Sequence, residues 1–235
     1  MIYAVINQKG GAGKTTLAVH LALRLHDAGR SVAFIDNDPQ QSATRWIAAA
    51  EPDMRLESLT NADDLVAQAE TLAEEYDDVV CDGSPRLNDQ THVLMYLADK
   101  VLIPVLPSAL DVHATLETKD AIDRVTEARA ADGMEPPAVL IALNKVRTTG
   151  EQAKIVRQAL AELGLPVAKT SVGLRDAFIK AVVDDTSVHR DGTKSRGHKQ
   201  ASADLDALFH ELLQLPAEPV AVETAAAEPA LALAA

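Results

Sequence analysis

The chain predicts a three-layer α/β sandwich: a mostly parallel, twisted sheet with helices on both faces. Three observations carry that expectation. Short apolar runs rich in Val, Ile and Leu alternate with helix-period stretches along the chain, the pattern of a parallel sheet buried between helices. The first run, Ile2 to Ile6, opens straight into a glycine-rich turn and then a helix starting near Lys14. With 235 residues, 47% of them apolar, there is enough material for one substantial core.

Composition narrows the function classes. Aromatics make up only 3%, so the core is aliphatic and alanine-rich. A single cysteine, Cys81, excludes an internal disulfide framework and fits a reducing, cytoplasmic setting. No run is long and apolar enough to span a bilayer, and the N-terminus reads as a core strand rather than a signal peptide. The net charge of −13 argues against a wholly basic nucleic-acid binder, while leaving room for a local basic patch.

The elements follow in order. Leu17, Leu21 and Leu25 recur at i+4, a helix stripe facing the sheet, and Gly29 stops that helix. Val32 to Ile35 is a short strand ending in Asp36-Asn37-Asp38-Pro39-Gln40. Ser42 to Ala50 reads as a helix in which Trp46 packs, and Arg55 to Leu59 as an outer strand. Thr60 and Asp63, three apart, look like a capping box before an alanine- and leucine-rich helix. Val79 to Asp82 and Val101 to Val105 are two more buried strands. Pro107-Ser108-Ala109-Leu110-Asp111 leads into a long helix running to Ala131 and stopping at Asp132-Gly133. Ala138 to Leu143 is a strand ending at Asn144-Lys145, Gln152 to Leu163 a helix closed by Gly164, and Pro166 to Thr170 the last strand. A short helix begins around Gly173 to Phe178, and Ala201 to Leu215 is a closing amphipathic helix. The folded domain therefore spans 1–215. The remaining 216–235, rich in Ala, Pro and Glu without a basic residue, reads as a disordered tail.

The chemistry concentrates in Lys9-Gly10-Gly11-Ala12-Gly13-Lys14-Thr15-Thr16. Glycines let backbone amides approach a phosphate, and the helix N-terminus adds unpaired N–H groups and partial positive charge. Lys14 supplies a cation for the β/γ-phosphates, and the Thr15 hydroxyl suits Mg²⁺. A nucleoside triphosphate with Mg²⁺ is the expected ligand. The loop departs from G-x-x-x-x-G-K-[ST], since Gln8 occupies the first glycine's place and Lys9 precedes the double glycine. Asp36 and Asp38 close a strand beside the loop, where ligands gather in open α/β sheets; taken alone, that segment reads equally as a solvated turn. Asp82 ends an apolar strand in the manner of a Walker B acid. Cys81 beside it reads as a small buried apolar residue.

The loop K-G-G-x-G-K-T-T is the deviant Walker A form, and here the chain resembles the ParA/MinD family of P-loop ATPases. D-x-D-P-Q and V-L-I-P-V-x-P-S-x-x-D strengthen the resemblance, which covers roughly residues 1–215. It implies that the nucleotide is ATP and that Lys9 reaches the ATP held by a second subunit, so the active species is a homodimer. It also implies that Asp38 orients the attacking water, Asp36 is a supporting carboxylate near the metal, and Asp82 holds a metal-bound water. Asn144 would hydrogen-bond the adenine; a turn-capping role is the alternative. The lone cysteine sets the chain apart from the cluster-binding nitrogenase iron protein, which needs two per subunit.

Arg190, Lys194, Arg196 and Lys199 form a basic island with His189 and His198. It reads either as a solvated mobile loop or as a phosphate-backbone patch for weak, salt-sensitive, non-specific DNA binding. ParA-like behaviour implies the second: a nucleoid-associated dimer, stimulated by a ParB-like or cargo-adaptor protein, that positions a plasmid, chromosome or large assembly. A MinD-like membrane ATPase is the rival within the family, disfavoured by the acidic, proline-interrupted tail. A dethiobiotin-synthetase-like ligase is the rival outside it, and would have no use for Lys9.

Overall fold

A computed structural model describes residues 1–86, 89–147, 151–192 and 195–216. Seven strands and eight helices alternate: β1 (Ile2–Val5), α1 (Lys14–Asp27), β2 (Val32–Asp36), α2 (Ser42–Ala50), β3 (Arg55–Ser58), α3 (Ala62–Glu75), β4 (Asp78–Asp82), α4 (Asp89–Leu97), β5 (Lys100–Val105), α5 (Ala109–Ala131), β6 (Ala138–Val146), α6 (Glu151–Glu162), β7 (Val167–Gly173), α7 (Asp176–Val183) and α8 (Arg196–Gln214). The strands form one parallel sheet in the order β3-β2-β4-β1-β5-β6-β7.

Two apolar clusters cover the two faces. Alternate strand residues decide which side chain goes where. Tyr3, Val5, Phe34, Val80, Leu102 and Leu140 pack under α1, α2, α7 and α8. Ile2, Ala4, Ile6, Ile35, Cys81, Ile103 and Ile141 pack under α3, α4, α5 and α6. Cys81 is fully buried and burial pushes its thiol up to about 12, so it behaves as an inert apolar residue.

The sequence reverses direction around β1. From β1 the chain passes over β4 to β2, and from β4 it crosses to β5 on the other side. The crevice at the carboxyl ends of these strands is where ligands of open α/β sheets bind. Pro104 is tolerated within β5 because β1 pairs only with Lys100 to Leu102. Beyond that point no ladder bond to β1 is lost, and the Pro104 carbonyl accepts from Asn7 Nδ2 at 2.5 Å.

Several boundaries differ from expectation. The α3 cap is Asn61, whose side chain accepts from Asp63 N at 2.9 Å; Thr60 lies one residue outside. β6 runs on to Val146, so Asn144 and Lys145 belong to the strand. α8 begins at Arg196 rather than Ala201, with Ser195 as its cap accepting from His198 N, which takes Arg196 and Lys199 out of the expected loop. Lys194 and residues 217–235 lie outside the described residues. Among the described residues, no helix is long and apolar enough to cross a membrane.

Candidate active site

The glycine-rich loop is held from both sides by groups distant in sequence. Gly13 precedes α1 with φ of +99°, in the left-handed region, and a Cβ there would collide with Asn144 Nδ2. Glycine is thus required twice over, by conformation and by space. From β6, Asn144 Nδ2 donates to Ala12 O at 2.7 Å and Lys145 Nζ to Gly11 O at 2.8 Å. Lys145 itself adopts φ of +55°, and its N–H donates to Asn144 Oδ1 at 2.8 Å. With their carbonyls held from outside, the loop peptides leave their N–H groups for an anion.

The start of the loop is tied to α5. Asn7 Oδ1 accepts from Lys9 N at 2.9 Å, and Gln8 Nε2 donates to Ala114 O at 2.5 Å. That explains glutamine in place of the usual first glycine: its side chain is a strut to α5. Lys9 Nζ pairs with Asp111 Oδ2 at 2.6 Å; the lysine is 36% exposed and the aspartate 2%. Lys14 points into the cradle and is buried, its ammonium 3.5 Å from Lys9 O. Burial lowers the pKa of Lys14, and Asp82 and Asp38 pull it back up.

Three carboxylates face the loop. Asp82 pairs in register with Asp36 on β2 and with Val5 on β1, so it stands at the mouth of the crevice. Desolvation pushes its pKa up to about 8; the Thr15 hydroxyl lowers it, Asp36 raises it, Lys14 lowers it and Asp38 raises it. Apart from the Thr15 hydroxyl beside it, Asp82 has no partner for its two buried oxygens among the described residues. An orphaned acid of this kind, against Thr15 and Lys14, fits a site for a hydrated cation. Among the described residues no group of three or more His, Cys, Asp or Glu is arranged to hold a metal. Mg²⁺ keeps several waters and takes substrate phosphate oxygens as ligands, so it asks few donors of the protein.

Asp36 is fully buried and already engaged. Its Oδ1 accepts from Asp38 N at 3.0 Å, and its Oδ2 accepts from Thr44 N at 2.8 Å and Thr44 Oγ1 at 2.9 Å. It therefore holds the following turn and the start of α2 in place. Asp38, half-buried, accepts from Gln40 N at 2.9 Å through Oδ1; its other oxygen has no partner among the described residues. Asn37 stiffens the same turn through Asp82 O at 2.9 Å and Leu59 O at 2.6 Å.

The basic island is not the exposed patch that its composition suggests. Arg190 folds back onto Asp27 and Glu51, donating to Asp27 Oδ1 at 2.5 Å, Glu51 Oε2 at 2.9 Å and Ala50 O at 3.0 Å. That corrects its place among DNA-facing residues: three acceptors from α1 and the end of α2 saturate its guanidinium. His198 pairs with Asp191, and His189 with Asp206 at 3.2 Å. Arg196 and Lys199 remain exposed on the first turn of α8. Asp111 closes the V-L-I-P-V-x-P-S-x-x-D string, but its pairing with Lys9 has no counterpart in the sequence reading. Ser108-x-x-Asp111 by itself signals a helix start, not a partner for a lysine in the loop.

Loops of this construction belong to nucleotide-binding ATPases whose phosphate cradle carries an additional lysine. Comparison with known proteins places the chain further: residues 3–188 match the CobQ/CobB/MinD/ParA nucleotide binding domain, and the chain belongs to that family. It is 32% identical over 214 residues to the maintenance of carboxysome distribution protein A of Halothiobacillus neapolitanus, covering 89% of this chain and 95% of that protein. To protein ParA of Rhizobium radiobacter it is 27% identical over 231 residues, covering 91% and 98%. Among solved structures, apo McdA of Cyanthece shares the fold with a TM-score of 0.67 at 20% identity, over 88% of this chain and 98% of that one. The chain is a ParA/MinD-type ATPase.

Proposed function

We propose that this protein is an ATP-dependent dimerising ATPase that binds DNA without sequence preference and positions a large cargo through an adaptor protein. The observation that carries the proposal is the division of labour between the two loop lysines. Lys14 is buried inside its own cradle, whereas Lys9 points out of it, toward α5. A cation directed away from its own phosphate site supports service to a second subunit's nucleotide.

In this reading the loop amides of residues 10–16 and Lys14 bind the triphosphate. Thr15 and Asp82 would hold Mg²⁺, which would neutralise charge on the phosphate oxygens. Asp36 acts from behind, fixing the turn from which the free oxygen of Asp38 orients the attacking water. Lys9 from the partner neutralises charge that develops during transfer. Asn144 still has one N–H and one lone pair beyond its contacts to the loop for an adenine edge. Loss of the γ-phosphate loosens the dimer and with it the DNA contact through Arg196, Lys199 and, beyond the described residues, Lys194. The names of the two relatives, one concerned with carboxysome distribution and one called ParA, support a cargo-positioning role of this kind. The setting is cytoplasmic, on the nucleoid.

Turnover measured against protein concentration tests the proposal. The rate per subunit should climb steeply through the monomer–dimer transition, and Lys9→Ala should flatten it at a level on the order of a thousandfold below the plateau. A per-subunit rate that is constant from nanomolar to micromolar protein sinks the trans-acting lysine. Release of ADP and phosphate without an acceptor separates this ATPase from a ligase, and vesicle co-sedimentation from a membrane-recruited relative.

A further inference from the structure

We propose that Asp111 is a positioning residue that stores Lys9 within its own chain and releases it when a partner's triphosphate competes for it. The proposal rests on the dimer reading above and adds to it a gate. The two ends of the pair are unequal. Lys9 is 36% exposed on a flexible stem and can swing away; Asp111 is 2% exposed and is fixed as the third residue of α5. Asp111 Oδ2, the oxygen that receives Lys9, also accepts from the Ser108 hydroxyl, while Oδ1 is buried without a partner among the described residues. When Lys9 leaves, a buried carboxylate keeps only a hydroxyl and the partial positive charge of the helix start. Dimer closure therefore has to overcome the loss of this pair, which sets a threshold that weak or nucleotide-free encounters do not cross.

The neighbouring contacts reinforce the device. Gln8 is anchored to Ala114 O and Lys9 N to Asn7 Oδ1, so the backbone under Lys9 is held while its side chain alone changes partner. Storage also keeps the second ammonium out of its own cradle, where it would compete with Lys14 for the same phosphates.

The test compares wild type, Asp111→Asn and Asp111→Glu by sedimentation with a non-hydrolysable ATP analogue and Mg²⁺. Asp111→Asn removes the charge that retains Lys9 and should lower the protein concentration at half-dimerisation on the order of tenfold, with Asp111→Glu returning toward wild type. The effect is held to that size because Lys9 is partly solvated. If the wild type dimerises with the analogue but Asp111→Asn leaves the midpoint unchanged or raises it, the gate is overturned while the dimer reading stands. If the wild type does not dimerise at all, the reading beneath it fails. A second measurement needs no Asp111 variant and so survives its misfolding. In nucleotide-free wild-type protein, Lys9 should give a protected side-chain ammonium resonance, identified by its absence in Lys9→Ala, that shifts on adding the analogue. A Lys9 ammonium exchanging like a free surface lysine before nucleotide is added also overturns the gate.

Discussion

The phosphate loop and the basic island are both rich in lysine or arginine and glycine, yet the loop takes the strand–turn–helix arrangement its order implies, while in the island Arg190 folds back onto acids. In the loop, residue order dictates geometry: Gly13 must precede the helix, Lys14 must open it, and each amide follows from the last. The island was read by counting charges. Counting fails because the acids that consume Arg190 sit far off in sequence, Asp27 on α1 and Glu51 after α2. A spacing motif carries its own three-dimensional arrangement, whereas a charge cluster depends on what folds against it.

The largest effect that sharpens this contrast is expected at Gly13. Gly13→Ala meets both a left-handed backbone and the Asn144 carboxamide, and should cost about 2 kcal/mol of stability with at least roughly tenfold weaker ATP binding. Calorimetric titration and a melting curve read the two. ATP affinity equal to wild type would show the loop to be less constrained than its contacts indicate.

His20 joins the two regions. Its Nδ1 lies 2.7 Å from Thr16 O at the end of the loop and its Nε2 accepts from Val188 N at 3.2 Å beside the island, so the proton sits on Nδ1. Trp46 and Phe178 meet the ring edge-on. Burial lowers its pKa to about 4; the Thr16 carbonyl acts the other way, and His189 lowers it further. The neutral ring is the form the fold favours. Its contribution is therefore full above the unfolded value near 6.5 and drains away as pH falls toward 4. Over that window it should amount to about 3 kcal/mol at most. Urea unfolding at several pH values should show His20→Gln with a shallower acid slope than wild type. Parallel slopes would mean that the ring is protonated without penalty.

The smallest effects separate the island's members. Arg190→Ala should lower stability by about 1 kcal/mol, since it leaves the exposed Asp27 without its guanidinium and the half-buried Glu51 with only His26 Nδ1 at 3.4 Å, while the folded fraction retains DNA as wild type does. Arg196→Glu with Lys199→Glu should leave stability within about 0.5 kcal/mol and weaken DNA retention. Salt-gradient elution from immobilised duplex and thermal melting distinguish the two sets. If Arg190→Ala alone abolishes retention at full folding, the island acts as one patch and the structural division is wrong.

Much of the fold was legible because a buried parallel strand announces itself. Each apolar run found its place in the sheet, and Gly29, Gly133 and Gly164 ended their helices with positive φ. The loop, the Asp36–Asp38 turn and Asp82 were legible by spacing and order. What stayed hidden depends on side chains that meet across the fold. Gln8 looked like a lapse in a motif until Ala114, 106 residues on, accepted its amide. Asp111 looked like a helix-start acid until Lys9 reached it across 102 residues. Asn61 rather than Thr60 caps α3 because either could serve by type, and only the backbone angle decides.

The long helix α5 is moored at its far end as firmly as at its head. Arg129, buried in its last turn, grips the carbonyls of Tyr96, Ala98 and Glu135. At 1.5 Å per residue its 23 residues make a rod of about 35 Å. Fastened at both ends, the rod keeps Asp111 and Ala114 at fixed places over the loop whichever way the Lys9 side chain turns.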